Sequence, residues 1–551
     1  ANYPEGIDFA MPEVPHPSLV HMLSAACASH RDKVAIECLG GSYSFGDLDR
    51  HSAEFASYLQ QLGLERGDRV AVMLPNVGQF PIVSFGTHRG GYVSVNVNPL
   101  YTARELSHQL RDSGAKAIII LENFAHILAE VIAQTEIEHV VIARMGDMLP
   151  FVKRHLVNLV VKHVKKMVPP YSLSGAVAFT DALGLGATKP PKPVETGPDD
   201  IAFIQYTGGT TGVAKGAVLT HANVVSNICQ SSAFNHQGLP DAGSRVVQPL
   251  PLYHIFALNM AILCFHRGYR QLLIPNPRDL PGFVKELKTK PFAMIPGVNT
   301  LYAGLANTPG FKDLDFSRLK LCFGGGTATL RDTSDQWRAI TGKPILEGYG
   351  LSETSPVVCG NHGSITEFTG TVGYPMPGTE VSLRDENEVE VPDGEPGEIC
   401  VKGPQVFQGY WERPEATAES FTKDGYFKTG DIAIFDEMGR IKIVDRKKDM
   451  IIVSGFNVYP TEIEDVICSM DGVLEAACIG VPSEKTGEAP KVFVIKKDPD
   501  LTADEIKEHC RHNLTGYKRP RIIEFVEDLP KTPVGKVLRK ELRAMEEAKA
   551  K

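Results

Sequence analysis

"IAFIQYTGGTTGVAKGAVLTH", Ile201 to His221, runs from a short apolar segment into a loop with almost no side-chain bulk. The segment Ile201–Gln205 is β-branched and aromatic and too short for a helix, so it reads as a buried strand. The loop carries Gly208, Gly209, Gly212 and Gly216, three threonines (Thr207, Thr210, Thr211) and Lys215. Glycines let backbone N–H groups approach a ligand, and successive amides form an anion-binding nest. Threonine hydroxyls add donors and the lysine a positive charge, so the implied ligand is a polyphosphate. The phosphate loop of kinases and ATPases, G-x-x-x-x-G-K-[ST], is not met, because Val-Ala-Lys-Gly follows Gly212. By itself such a stretch is equally a structural turn.

Outward from this loop, further short apolar runs alternate with helical patterns: "RVAVMLPN", "AKAIIILE", "HVVIAR", "RQLLIPN", "FAMIPGV" and "KLCFGGG". Runs of this kind separated by helix-length segments predict crossover units and a largely parallel α/β architecture. After about residue 370 the texture changes to Gly/Pro turns and alternation, as in "EVSLRDENEVEVPDGEPGEICVKG", which predicts antiparallel hairpins and a small β-barrel. From Met450 on, "AACIGVP" and "KVFVIKK" alternate with the helical "PTEIEDVICSM" and "TADEIKEHCRHNL", predicting a compact α+β domain. At 551 residues more than one domain is expected. The expected division is a large domain over 1–444, a hinge linker at 445–450 and a small mobile domain over 451–551.

Apolar residues at 43% and charged residues at 22% are those of a globular protein, and a net charge of −9 argues against a general nucleic-acid binder. Ten cysteines without a C-x-x-C spacing suggest neither a disulfide framework nor a zinc site. The opening residues lack a basic region followed by an apolar core, and no run approaches the ~20 apolar residues that span a bilayer. A cytoplasmic protein is expected. One stretch departs from the acidic balance: "FVKRHLVNLVVKHVKKMVPP", Phe151 to Pro170, has five Lys/Arg and no acid. At helical spacing Arg154, Asn158, Lys162 and Lys165 share one side, with Lys166 close by, and Val152, Leu156, Leu159, Val160, Val164 and Met167 the other; Lys153 breaks the pattern. It reads either as a surface helix packed on its own domain or as an interfacial helix drawn to anionic headgroups.

Six motifs stand in one order: "YTGGTTGVAKG", "LPLYHIFA", "GYGLSETSP", "YFKTGD", "IVDRKKDMIIVSGFNVYPTEIE" and "PKTPVGKVLRKEL". Together they resemble the adenylate-forming family of acyl-CoA ligases, luciferases and peptide-synthetase adenylation domains, over essentially the whole chain. Within it the likeness is greatest to bacterial long-chain fatty-acid–CoA ligases, through "NPRDLPG" and "KGPQVFQGYW" in addition. The resemblance implies two steps. A carboxylate attacks the α-phosphate of ATP to give acyl-AMP and pyrophosphate, and the thiol of CoA then displaces AMP. It also implies Mg2+.

The same resemblance assigns roles. The loop residues Thr207, Gly208, Gly209, Thr210, Thr211, Gly212 and Lys215 would hold the β and γ phosphates. Glu353 would hold Mg2+, with Thr207 a further metal ligand, and Thr354 would touch the α-phosphate. Asp431 would accept from both ribose hydroxyls, Tyr349 would stack on adenine beside Gly325 and Gly326, and Gly350 lies in the same motif. Lys536 would bridge carboxylate and α-phosphate, Arg446 would reach ribose or phosphate, and Lys448 would be the hinge. The face "SGFNVYP" would replace Lys536 for the second step, with Gly455 admitting pantetheine. His254 would sit beside the acyl-adenylate as an orienting or gating group, and "IPGVNTLYAGLAN", Ile295 to Asn307, matches the acyl-pocket region.

Three positions depart from the family pattern: Gly208 replaces a frequent serine, Ala214 a frequent proline, and Leu258 the aromatic gate of some long-chain relatives. The last puts the gating mechanism in doubt. Alternatives stay open at this level: a medium-chain or aryl acid ligase, an acyl-AMP ligase feeding a carrier protein, or a membrane-peripheral scaffold with a decayed nucleotide site. A homodimer and a contact with an anionic membrane are left open too.

Overall fold

The computed structural model describes residues 3–550 apart from 208–213, 237, 455, 484 and 533–535. Two large mixed sheets carry most of the chain. One has eight strands in the order Gly409–Tyr410, Lys215–Thr220, Ile201–Thr207, Val93–Asn96, Arg69–Met73, Ala115–Leu121, His139–Ala143 and Val177–Ala178. The other has nine, in the order Tyr374–Pro375, Val357–Gly360, Ile345–Gly350, Leu321–Gly324, Met294–Gly297, Arg245–Gln248, Arg270–Leu273, Val34–Cys38 and Gly41–Ser44. Every apolar run read as a strand is one, and their mutual pairings are parallel. Antiparallel pairings are confined to the sheet margins, where most join strands adjacent in sequence without an intervening α-helix; Gly409–Tyr410 instead reaches Lys215–Thr220 from a distant part of the chain.

One of those hairpins explains the failed phosphate-loop consensus. Ile201–Thr207 and Lys215–Thr220 pair antiparallel, so the Gly/Thr loop joins two adjacent strands, and a helix starts only at His221, after the return strand. The loop therefore does not open onto a helix N-terminus, the context that the Lys-Ser/Thr ending serves in kinases and ATPases.

The two sheets are joined by buried amides. Asn76, just beyond the Arg69–Met73 strand, donates to the carbonyls of Gln248 and Leu250 and accepts from the Leu252 amide at 2.9, 2.8 and 2.9 Å. Gln205 donates to the Tyr253 carbonyl at 2.7 Å. Both stitches land on "LPLYH", so the chain before His254 is fixed from the neighbouring sheet.

The stretch after residue 370 is antiparallel as expected, but it is not a barrel. Glu380–Arg384, Gly397–Lys402, Phe427–Phe435 and Ile441–Arg446 form a four-stranded sheet whose outer strands do not pair with each other. Four strands are too few to close around a packed interior. Beyond it, Ile451–Val453, Phe456–Val458, Val473–Ser483, Gly487–Lys496 and Ile522–Phe525 form a sheet with the helices Pro460–Cys468, Ala503–Asn513 and Arg539–Ala550. Its buried clusters share no residue with those of the large sheets. Asp445 and Arg446, assigned to the linker, are paired residues of the Ile441–Arg446 strand.

The 151–170 stretch is helical over Phe151–Leu159 and continues as one π turn, Val160–Val164, but its orientation is the reverse of a packed surface helix. Part of the polar side, at Arg154, Asn158 and Lys162, is turned to the domain, whereas Lys165 and Lys166 are exposed. Asn158 accepts from the Gly146 amide at 2.8 Å, Lys162 pairs with Glu122 at 2.9 Å, and Lys153 donates to the Gly40 carbonyl at 3.1 Å. Phe151, Val152, Leu156, Leu159, Val164 and Met167 are all more than half exposed, at 72, 77, 60, 53, 67 and 53%. Among the described residues no helix is long and apolar enough to cross a membrane.

Asn76→Ala leaves two buried backbone groups unpartnered, the Leu250 carbonyl and the Leu252 amide, while the Gln248 carbonyl keeps the Ile274 amide; each unpartnered group costs about 1–3 kcal/mol. The expected result is a lower thermal midpoint with native secondary structure retained, read by circular dichroism. An unchanged midpoint would show that the two sheets do not depend on this stitch.

Candidate active site

The phosphate-loop hairpin opens at Thr207, whose hydroxyl reaches toward the Lys215 carbonyl at 3.5 Å. Gly208, Gly209, Thr210, Thr211 and Gly212 lie outside the described residues, as does Gly455. Lys215 lies over the Tyr410 ring, 5.1 Å from its centroid, and the Tyr410 hydroxyl donates to Glu353 Oε1 at 2.8 Å. One aromatic side chain thus couples the lysine of the loop to the carboxylate expected to hold metal.

Glu353 is buried at 7% exposure, and among the described residues no lysine or arginine pairs with it. Burial raises its pKa, as it does for any carboxylate denied water and a counter-ion. A desolvated carboxylate in want of a cation fits Mg2+, which takes one or two carboxylate oxygens and completes its shell with phosphate oxygens and water. No cluster of three or more metal-ligating side chains occurs among the described residues, so a self-sufficient protein cage is absent there. Thr354 departs from its assignment. It is fully buried, accepts from the Leu351 amide at 3.0 Å, and has its hydroxyl directed to the Leu351 and Pro356 carbonyls. Its single O–H donor serves the turn rather than an α-phosphate.

The position of Asp431, the carboxylate expected to take the ribose, is set by strand register. Asp431 and Arg446 are cross-strand partners, and Arg446 Nε lies 3.0 Å from Asp431 Oδ1. Tyr349, arriving from the Ile345–Gly350 strand of the nine-stranded sheet, donates its hydroxyl to Asp431 Oδ2 at 2.6 Å. Each carboxylate oxygen keeps a second acceptor site, so this pairing leaves capacity for ribose hydroxyls. Gly325 lies where a Cβ would come within 3.1 Å of Phe256, and Gly326 has φ +77°, a conformation that glycine alone adopts without strain. Gly350 has a structural reason of its own: a Cβ there would stand 1.9 Å from the Pro356 carbonyl oxygen.

His254 caps the helix Ile255–His266, accepting the Phe256 amide on Nδ1 at 3.4 Å. Burial pushes its imidazole down to about 4, so the ring is neutral at physiological pH and suits orientation rather than proton transfer. Leu258, in the first turn of this helix, is buried. In the stretch expected at the acyl pocket, the helix Asn299–Ala306 turns Leu301, Tyr302 and Leu305 into the core. The Tyr302 hydroxyl is held by the Ile295 and Phe323 carbonyls at 3.0 and 2.9 Å.

Lys536 comes to the same place from the C-terminal domain. Burial and the adjacent Arg446 push its ammonium down to about 8, with Asp431 pulling the other way. The groups around the hinge position Lys448 were not legible in the sequence. Asp445 accepts from the Thr461 amide at 2.7 Å and from Arg539 at 3.2 Å, while Asp449 pairs with Arg539 and Arg543 at 3.4 and 2.7 Å. Lys447 pairs with Glu398 at 2.9 Å, and Glu398 also accepts the Gly430 amide next to Asp431. Glu347 is a further buried carboxyl beside the nucleotide motif, pushed up to about 8 by burial; it accepts the Thr329 amide on one oxygen and has no partner on the other. Spacing gives no sign of these partnerships, because they join strands and helices far apart in the chain.

A buried carboxylate with no cation paired to it among the described residues, Glu353, and a second buried carboxylate paired to an arginine, Asp431, thus stand where the motifs converge, with Lys536 of the C-terminal domain within electrostatic reach. The chain belongs to the AMP-binding enzyme family: the family's model matches residues 23–411, and that of the AMP-binding enzyme C-terminal domain matches 462–536. It is 51% identical to the long-chain-fatty-acid–CoA ligase of Escherichia coli O6:H1, over 100% of this chain and 98% of that one. Among solved structures it resembles ATP-bound MatB from Rhodopseudomonas palustris with a TM-score of 0.83 at 30% identity, covering 96% of this chain and 98% of that one. Apo MatB from the same organism aligns over the same shares at 30% identity with a TM-score of 0.74, so the arrangement here is nearer to the ATP-bound one.

A lysine that titrates near 8 loses its charge as pH rises through that value. If the Lys536 charge drives adenylation, kcat/KM for that step falls above about pH 8. Lys536→Arg moves the fall beyond pH 10, since a guanidinium does not titrate there. A wild-type profile flat to pH 9.5 contradicts the assignment.

Proposed function

We propose that the protein converts a long-chain fatty acid, ATP and CoA to acyl-CoA, AMP and pyrophosphate through a bound acyl-adenylate. The observation that carries this is the network of Asp431, Arg446 and Tyr349, with Lys536 of the other domain within electrostatic reach of it. Attack by one anion on another requires charge neutralisation more than proton abstraction, and the side chains present are suited to it. Asp431 orients the ribose, Tyr349 lies between ribose and adenine, and Lys536 bridges the incoming carboxylate and the α-phosphate. Glu353, with Thr207, would hold Mg2+ on the phosphates, where the ion supplies the remaining positive charge. His254, neutral, orients the acyl carboxylate. The long-chain substrate rests on the full-length likeness to ligases of that name.

For the second step the C-terminal domain turns about Lys448, withdrawing Lys536 and presenting the 454–460 face. Of its described residues Ser454, Phe456 and Asn457 are exposed, Phe456 at 55% and stacked on Tyr517 at 4.7 Å. This reading keeps the proposed order of large domain, hinge and mobile domain, with the hinge narrowed to 447–450 because Asp445 and Arg446 are strand residues of the large domain. The exposed apolar side of residues 151–167, flanked by Lys165 and Lys166, supports a cytoplasmic enzyme that touches an anionic membrane to take up its substrate.

Lys536→Ala is expected to lower ATP–pyrophosphate exchange with a fatty acid by ~10²-fold or more, as removal of one transition-state charge donor does. Thioester formation from supplied acyl-AMP and CoA should survive. Equal loss in both half-reactions would refute the two-orientation mechanism.

Serine at Phe151, Leu156 and Leu159 should abolish binding to anionic vesicles and raise the apparent KM for vesicle-borne fatty acid, with activity on shorter, soluble acids retained. Wild-type protein that ignores such vesicles at low salt, where ionic attraction is strongest, would overturn the membrane contact.

A further inference from the structure

The helix Ala103–Ser113 belongs to none of the motifs, yet it holds both ends of the phosphate-loop hairpin. Tyr206, the residue before Thr207, donates its hydroxyl to Asp112 Oδ2 at 2.7 Å. Ala214, where the description of the chain resumes after the loop, has its carbonyl 3.1 Å from His108 Nε2, one turn earlier on the same helix. The other oxygen of Asp112 pairs with Arg413, and two residues before Arg413 the Trp411 amide donates to the Gly216 carbonyl at 2.8 Å. The Asp112 side chain is only 8% exposed and Tyr206 9%, so this bond lies largely out of water, where charge-assisted hydrogen bonds are strong.

We propose that Asp112, through Tyr206 and together with His108, is a positioning residue for ATP binding: it fixes Tyr206 and Ala214, the residues on either side of the Gly/Thr loop, and so favours binding of the β and γ phosphates. A glycine-rich segment free at both ends would pay its ordering entropy on each binding event; anchoring the ends removes part of that cost. Asp112 acts only through the backbone it fixes. The strap 409–413 ties the clamp to the rest of the site, since Tyr410 in it carries Lys215 on its ring and Glu353 on its hydroxyl. The inference rests on the reading of this loop as the polyphosphate site.

The test uses the full-length enzyme with Tyr206→Phe, which removes one hydroxyl and leaves the Asp112–Arg413 pair, and with Asp112→Asn. The expected result for Tyr206→Phe is a rise of about tenfold in KM for ATP in pyrophosphate exchange, the effect of losing one hydrogen bond to a charged group. AMP affinity and the thioester half-reaction from supplied acyl-AMP should stay at the wild-type level, because neither uses the β and γ phosphates. Asp112→Asn in the Tyr206→Phe background should add less than it does alone. A purely structural role would lower the thermal midpoint and move both half-reactions together. Either that result, or an unchanged KM for ATP in a folded Tyr206→Phe enzyme, overturns the proposal. Wild-type protein without pyrophosphate exchange would instead overturn the reading of the loop.

Discussion

The contact between Asp431 and Arg446 is the one on which the rest of the site depends. It is produced by antiparallel register, and it places a buried carboxylate, a guanidinium at the end of the Ile441–Arg446 strand and, through Tyr349, the nine-stranded sheet in one network. Asp431 is 3% exposed, so without Arg446 its charge would be buried and uncompensated. Lys536 responds to the same pair from the other domain: Arg446 disfavours its charge and Asp431 favours it.

Buried polar groups elsewhere follow the same rule of satisfied pairing. Asn227 and Asn259 together accept the Val357 amide and donate to the Val357 and Ser355 carbonyls, which holds the turn after Glu353 against the helices His221–Phe234 and Ile255–His266. Asn76 and Gln205 hold "LPLYH" from the second sheet. The catalytic segments are therefore loops whose backbones are fixed by side-chain amides from neighbouring elements. This rigidity serves a reaction that needs charges in place before substrate arrives.

The hinge is built on a different balance. Asp445 before Lys448 and Asp449 after it converge on Arg539, which also pairs with Glu464 at 2.6 Å. The bonds of Asp445 to Arg539 and to the Thr461 amide tie the Ile441–Arg446 strand to the C-terminal domain, so a turn about the proposed hinge at Lys448 would have to break them. Those of Asp449 with Arg539 and Arg543 lie within the C-terminal domain and travel with it.

The sequence by itself determined the α/β class, the parallel strands, the separate α+β domain and the residue types of the site, because these depend on local periodicity and on motifs contiguous in the chain. Ile201–Thr207 and Leu321–Gly324 were legible as strands since buried parallel strands are near-continuous apolar runs. Tertiary structure alone decided the hairpin setting of the phosphate loop, the open sheet in place of a barrel, and the outward-facing apolar side of residues 151–167. It also decided the work of Thr354, whose hydroxyl turns to a local carbonyl, and of Asp112, Tyr410 and Arg539, which bear on the site through partners 57 to 94 residues or more away. The physical reason is the same in each case. Periodicity records whether a residue is buried, whereas the partner that makes burial of a charge or a hydroxyl affordable is chosen only when distant segments pack.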